Sequence, residues 1–317
     1  MRISGSRPAG FITAGRSTDV SASFAENRLG TIRNRHAWYN WFASRAGLHT
    51  IAILLSITLM IPFGWTLISS LKPVEEIRLL PPQLWPSELK WSNYPAVFNV
   101  KLFPFWVRNT TIVAVLATIG TVFTAMFAGY AFARFRFPGR APMFALTLST
   151  MMLPDAVTLI PRYLLYYQLG WLDTFYPLIV PFFFGGGAFY IFLFRQFFMT
   201  IPLDMDEAAK IDGANQLQIL LFVVLPLALP VLATVGIIAF IAHYDSFIFP
   251  LIILNTRELF TLAIGIRFFS ILPTQDAAPQ DHILLAMSVM MTTPMIVLFF
   301  LGQRYFVRGV VMSGIKG

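Results

Sequence analysis

Six long apolar runs, separated by shorter polar stretches, set the pattern of this chain. They lie near residues 49–71, 109–132, 142–165, 175–198, 219–242 and 283–306. A helix needs about 20 apolar residues to cross a bilayer core, and each run is long enough. The pattern predicts an all-α membrane protein with six transmembrane helices. The fifth run continues, with breaks, towards Ile253. Pro226 and Pro230 near its start are expected to kink it or to mark where it meets the membrane.

Composition agrees. Of 317 residues, 57% are hydrophobic and only 12% charged, too few charges to cover a soluble domain of this size. The absence of cysteine excludes disulfides and thiolate metal sites. The four histidines lack a regular ligand spacing, so no metal is expected. The formal charge of +8 is read as basic loops at a cytoplasmic membrane face, not as a nucleic-acid surface.

Residues 1–48 hold seven arginines and two acids and lack the apolar core of a signal peptide. They are read as a mostly disordered cytoplasmic tail, with a short interfacial helix near Ala37–Gly47. With the N-terminus inside, 15 of the 23 Lys and Arg fall on cytoplasmic segments, which favours both termini inside. The expected division is a tail at 1–48, a transmembrane domain at 49–306 with a cytoplasmic loop at 199–219, and a C-terminal tail at 307–317.

That loop concentrates acid. Asp204, Asp206, Glu207 and Asp212 lie within nine residues, about a quarter of all 15 acids. "DMDE" (Asp204 to Glu207) has the form of a capping box. The first-turn acids suit the helix dipole, Ala208 and Ala209 favour helix, and Gly213 can end it in a left-handed conformation. A short helix of about nine residues, roughly 13 Å, is expected. On these residues alone it is either a solvated, well-capped loop helix or a docking helix. Small residues allow close approach, and acids can pair with a partner's arginine.

Glu207-Ala208-Ala209, three residues, Gly213, nine residues, then Val223-x-Leu225-Pro226 resembles the EAA signature of ABC importer permeases, with Val223 in place of the usual Ile. "GYAFARFRFPGR" (Gly129 to Arg140), "LIPRYLLYYQLGWLDT" (Leu159 to Thr174) and "FLFRQFFMTIP" (Phe192 to Pro202) resemble the carbohydrate-type subgroup, as does the tail from Gly302 to Gly317. The match covers roughly residues 50 to 317. The resemblance implies the type I importer permease fold. It also implies that this non-catalytic subunit docks a separate ATPase through Asp204, Asp206, Glu207, Ala208, Ala209, Lys210, Asp212, Gly213 and Ala214. Leu225 and Pro226 make the turn from loop to membrane. The implied partners are two ATPase subunits, a second similar permease, and a periplasmic or lipid-anchored solute-binding protein, in a bacterial or archaeal cytoplasmic membrane. The chain lacks a G-x-x-x-x-G-K-[ST] loop, so ATP and Mg are expected on the partner ATPases, with no cofactor on this chain.

Polar groups inside apolar runs are candidates for solute contact. Asp155, between Pro154 and Pro161, either lines a cavity or caps the helix half after Pro154. Tyr244 and Asp245 stand at a helix break, where many such permeases carry W-N-D and only the acid matches. Phe184 and Tyr190 flank Gly185, Gly186 and Gly187, which permit a bend or close helix contact. The outer segment Lys72 to Val107 and the loop Asn255 to Asp281 suit a lid or a binding-protein surface. Two rivals stand beside the permease. An ion-coupled secondary transporter lacks a visible repeat, and an intramembrane enzyme lacks an assembled nucleophile, base or metal set.

Overall fold

A computed structural model describes residues 46–271 and 280–314, with side chains as far as residue 303. The expected N-terminal tail and interfacial helix lie almost wholly outside these residues. So do residues 315–317 and the stretch 272–279 of the outer loop. The chain divides into two units, one ending at Gly64 and one running from Trp65 to Gly317. The described part of the first belongs to helix α1, Ala46–Ser69, whose most apolar 18 residues have a mean hydropathy of 2.2.

The second unit contains α2 (Val74–Ile77), α3 (Asn93–Val97), α4 (Phe103–Arg134), α5 (Arg140–Ser149), α6 (Asp155–Gln168), α7 (Tyr176–Ile179) and α8 (Ala188–Phe198). It continues with α9 (Leu203–Ile211), α10 (Gln216–Gln218), α11 (Leu225–Leu227), α12 (Leu229–Tyr244), α13 (Ile248–Ile253), α14 (Leu262–Ile271) and α15 (Asp281–Gly314). The described residues contain no strand. Among the described residues, four apolar helical stretches are long enough to cross a membrane, and up to six if each of two bent pairs is one span.

The second of these stretches, α4, runs for 32 residues without interruption. Pro104 suits its first turn, where a missing N–H costs nothing. Its buried face carries Ala114, Ala117, Gly120, Thr121, Ala125 and Gly129, small residues that let neighbouring backbones approach. A Cβ on Gly129 would lie 2.6 Å from Phe194 Cβ of α8, and one on Gly186 would lie 2.5 Å from the Thr121 carbonyl oxygen. In lipid, such contacts gain dispersion energy that hydrophobic transfer no longer supplies.

The other inner spans are broken. The expected crossing at 142–165 is two pieces, Arg140–Met152 and Asp155–Gln168, bent by 98°. Leu153 is extended at the break because Pro154 follows it and disfavours the helical conformation. The fourth is interrupted at residues 184–187, where Gly187 takes φ +84° and Gly186 presses on α4. The fifth is also two pieces, Gln216–Leu227 and Leu229–Tyr244, bent by 82°. Pro226 cannot donate to the Phe222 carbonyl, and a wide π turn over Ile219–Val224 immediately precedes the α11 segment.

Two buried clusters lie along α4. One gathers Ala125, Tyr130, Phe194, Phe198, Ile219 and Leu220 at its C-terminal end. The other gathers Phe103, Trp106, Tyr166, Ile253, Leu262 and Met287 at its N-terminal end. At this second end the Trp106 indole donates to the Arg257 carbonyl at 2.9 Å. Asn109 donates to Glu258 and Phe260 carbonyls at 2.7 and 3.1 Å, and the Leu262 N–H donates to Thr110 at 2.6 Å. The loop between α13 and α14 is therefore fastened to α4 along three successive contacts.

Candidate functional site

The acidic loop forms the expected nine-residue helix, α9. Its ending is as the sequence suggests. Gly213 is left-handed at φ +84°, the Ala214 N–H bonds to the Ala209 carbonyl, and the Gly213 N–H bonds to the Lys210 carbonyl. This is a Schellman closure. Its start differs. Pro202 occupies the N-cap position, Asp204 lies inside the first turn, and no side chain caps the helix. The reciprocal capping box stands one turn after α9. Asn215 Oδ1 accepts from the Gln218 N–H at 2.9 Å, and Gln218 Oε1 accepts from the Asn215 N–H at 2.8 Å.

The four acids separate. Asp204, Glu207 and Asp212 are exposed, with Ala208 and Lys210. Ala209 and Ala214 are half-buried. Asp206 turns inward and meets Arg134, the last residue of α4, at 3.1 Å, with side chains 5% and 4% exposed. The exposed face of α9 thus carries Asp204, Glu207, Ala208 and Ile211, and Asp206 lies beneath it. Ile211 is 87% exposed, and Leu203 and Met205 are exposed beside it, an apolar surface next to acids. Leu225 is half-buried and Pro226 exposed at the turn into the fifth span. Sequence reasoning counted Arg134 only as a positive charge. Its position as the cation in the last turn of a 32-residue apolar helix was the available signal.

The solute candidates do not converge. Asp155 caps nothing; its carboxylate, 99% exposed, accepts from Arg162 at 2.9 Å. Arg162 also donates to the Thr158 hydroxyl at 2.7 Å, so it folds back on α6. Phe184 is exposed at the interruption of the fourth span, and Tyr190 is half-buried against Gly187. Tyr244 and Asp245 do come together, on a cavity of about 520 Å³ that Ser288 and Thr292 of α15 also line. Spaced by four, these two share one helix face. They were missed among the apolar residues of the last run.

The cavity's polar groups are chiefly acceptors. The Tyr244 hydroxyl donates to the Met291 carbonyl at 3.2 Å. Ser288 and Thr292 donate back to their own helix, to Leu284 and Ser288 carbonyls at 2.9 and 2.8 Å. Their lone pairs and the Asp245 carboxylate remain for a ligand's donors.

Comparison with known proteins places these features. Residues 120–312 match the family model described as "Binding-protein-dependent transport system inner membrane component". The arabinooligosaccharides transport system permease protein AraQ of Bacillus subtilis (strain 168) is 31% identical over 86% of this chain and 96% of its own length. The trehalose/maltose transport system permease protein MalG of Thermococcus litoralis is 31% identical over 84% and 95%. The sn-glycerol-3-phosphate transport system permease protein UgpE of Pectobacterium atrosepticum is 31% identical over 84% and 95%. A chain of a solved bacterial ABC transporter involved in import of the acidic polysaccharide alginate superimposes with a TM-score of 0.73 at 26% identity, covering 83% of this chain and 98% of that one. The fold is that of a type I importer permease, and the ion-coupled alternative falls away. Such subunits are non-catalytic and work with an ATPase and a solute-binding protein on other chains. The chain belongs to the family of binding-protein-dependent transport system inner membrane components.

Proposed function

We propose that this chain is one of two permease subunits of a carbohydrate importer in a bacterial or archaeal cytoplasmic membrane. Its termini and α9 face the cytoplasm. Two ATPases carry ATP and Mg, and one of them receives the exposed face of α9. A second, similar permease completes the pathway, and an outer binding protein delivers the solute. The observation that carries the reading is the α9 face itself, where Glu207, Ala208 and Ile211 stand exposed beside a buried Asp206. Ile211, Leu203 and Met205 are exposed together beside these acids, and an apolar patch rimmed by polar groups suits a partner's surface.

Two of the three relatives are named for sugars, arabinooligosaccharides and trehalose or maltose, and the third for sn-glycerol-3-phosphate, which supports a sugar or related polyol. The acceptor-rich cavity at Asp245, Ser288 and Thr292 supports a neutral polyhydroxyl solute over an anion, since hydroxyl groups donate and anions do not. The complete complex in vesicles should import a neutral oligosaccharide only with internal ATP. Glu207→Lys should lose co-purifying ATPase while still inserting in the membrane. Import driven by an ion gradient without the ATPase, or undiminished co-purification, would refute the reading.

A further inference from the structure

The C-terminal end of α4 grips the docking loop at three places. Arg134 holds Asp206, in the middle of α9, at 3.1 Å. The same guanidinium donates to the Ile201 carbonyl, ahead of α9, at 3.0 Å. One turn earlier on α4, the Tyr130 hydroxyl reaches the Gln216 side chain, beyond α9, at 3.4 Å. Arg134 Nε and Asp206 Oδ1 are both buried without a hydrogen-bond partner, so the 3.1 Å contact between Nε and Oδ2 is a buried ion pair in which each charge is the other's counterion.

The opposite end of α4 is fastened as firmly. Trp106, Asn109 and Thr110 bond to the backbone of residues 257–262. Between the two ends run 32 residues of helix without a break, about 48 Å of rise. The third and fifth spans are bent by 98° and 82°. The fourth is interrupted at residues 184–187. A displacement applied at α9 can be taken up by rotation at those breaks, and α4 offers none.

We propose that Arg134 and Asp206 are positioning residues that lock α9 to α4. This makes α4 the strut along which movement of a docked ATPase reaches the loop 256–262 at the opposite end. The inference rests on α9 being the docking helix. It adds that one acid of the loop, Asp206 just ahead of the motif, faces inward to transmit force, while its neighbours face the partner.

The test is a double-mutant cycle in vesicles holding the complete complex with its loaded binding protein. Arg134→Gln, Asp206→Asn and the pair together are compared for ATP hydrolysed per solute imported. Both single variants should keep the co-purifying ATPase yet raise that ratio roughly tenfold, a change within ordinary coupling energies. The double variant should be no worse than the worse single one, because both break the same link. A purely structural ion pair would lower the melting temperature and leave the ratio unchanged, and that result overturns the proposal. Additive effects in the double variant overturn it too, as does a loss of import matched by loss of ATPase from the complex. If Asp206→Asn fails to accumulate, the double variant, with no lone buried charge, carries the same comparison. Failure of the docking reading shows separately, as Glu207→Lys retaining its ATPase.

Discussion

Asp173 adopts φ 55°, a left-handed conformation that Asp and Asn tolerate better than other side chains. From there its carboxylate accepts from the Asn255 and Thr256 N–H groups at 2.8 and 2.9 Å and from the Thr256 hydroxyl. Partial burial pushes its pKa up, but the hydrogen bonds from Thr256 and Asn255 outweigh this and hold it below 3.8. A carboxyl lowered on folding contributes stability that is complete above its unfolded value and lost as pH falls through the folded one. Asp173→Ala should therefore lower the melting temperature at pH 7 more than Asp173→Asn, since Ala adds about 1–2 kcal/mol of left-handed strain to the lost acceptors. The advantage of Asp173 over Asn should shrink only below pH 3.8, in melts of the solubilised protein. A difference that vanishes near neutral pH would mean that another group is responsible. Asp206 marks the limit of reading at this scale. Its acidity in a loop was legible, but its inward turn depends on Arg134, far away in sequence.

At the scale of elements, small residues decide how closely α4 and α8 approach. Gly186 faces backbone, with an added Cβ 2.5 Å from the Thr121 oxygen and 2.6 Å from the Ala125 nitrogen. Backbone inside a continuous helix cannot yield as a side-chain tip can. Gly186→Ala should cost about 1–3 kcal/mol through overpacking. Gly185→Ala, with open space around it, should cost far less. Melting of the two solubilised variants compares them directly; equal losses would discard the close contact. The run of three glycines signalled a bend or a close approach, and it provides both. Which glycine does which was not legible, because that depends on α4. The capping box shows the same limit. Asp204-x-x-Glu207 has the right pattern, but Pro202 starts the helix too early for it, and Asn215-x-x-Gln218 makes the bonds instead.

For the whole molecule, hydropathy was enough to place the spans, since each apolar run corresponds to a helix or a bent pair. The bends were harder to see, because both halves of each pair are apolar and proline alone does not state an angle. The 98° break in the third span also bears on how the chain is made. Its halves, Arg140–Met152 and Asp155–Gln168, rise about 20 Å each, short of a hydrocarbon core of about 30 Å. Neither is long enough to span the lipid alone, so we expect the insertion machinery to read the two as one segment, with the corner forming later against neighbouring helices. A phosphatase reporter active only outside the cytoplasm should be active when fused after Gln168 and silent after Met152. On this expectation the corner is a late event of synthesis, made only after both halves have left the ribosome.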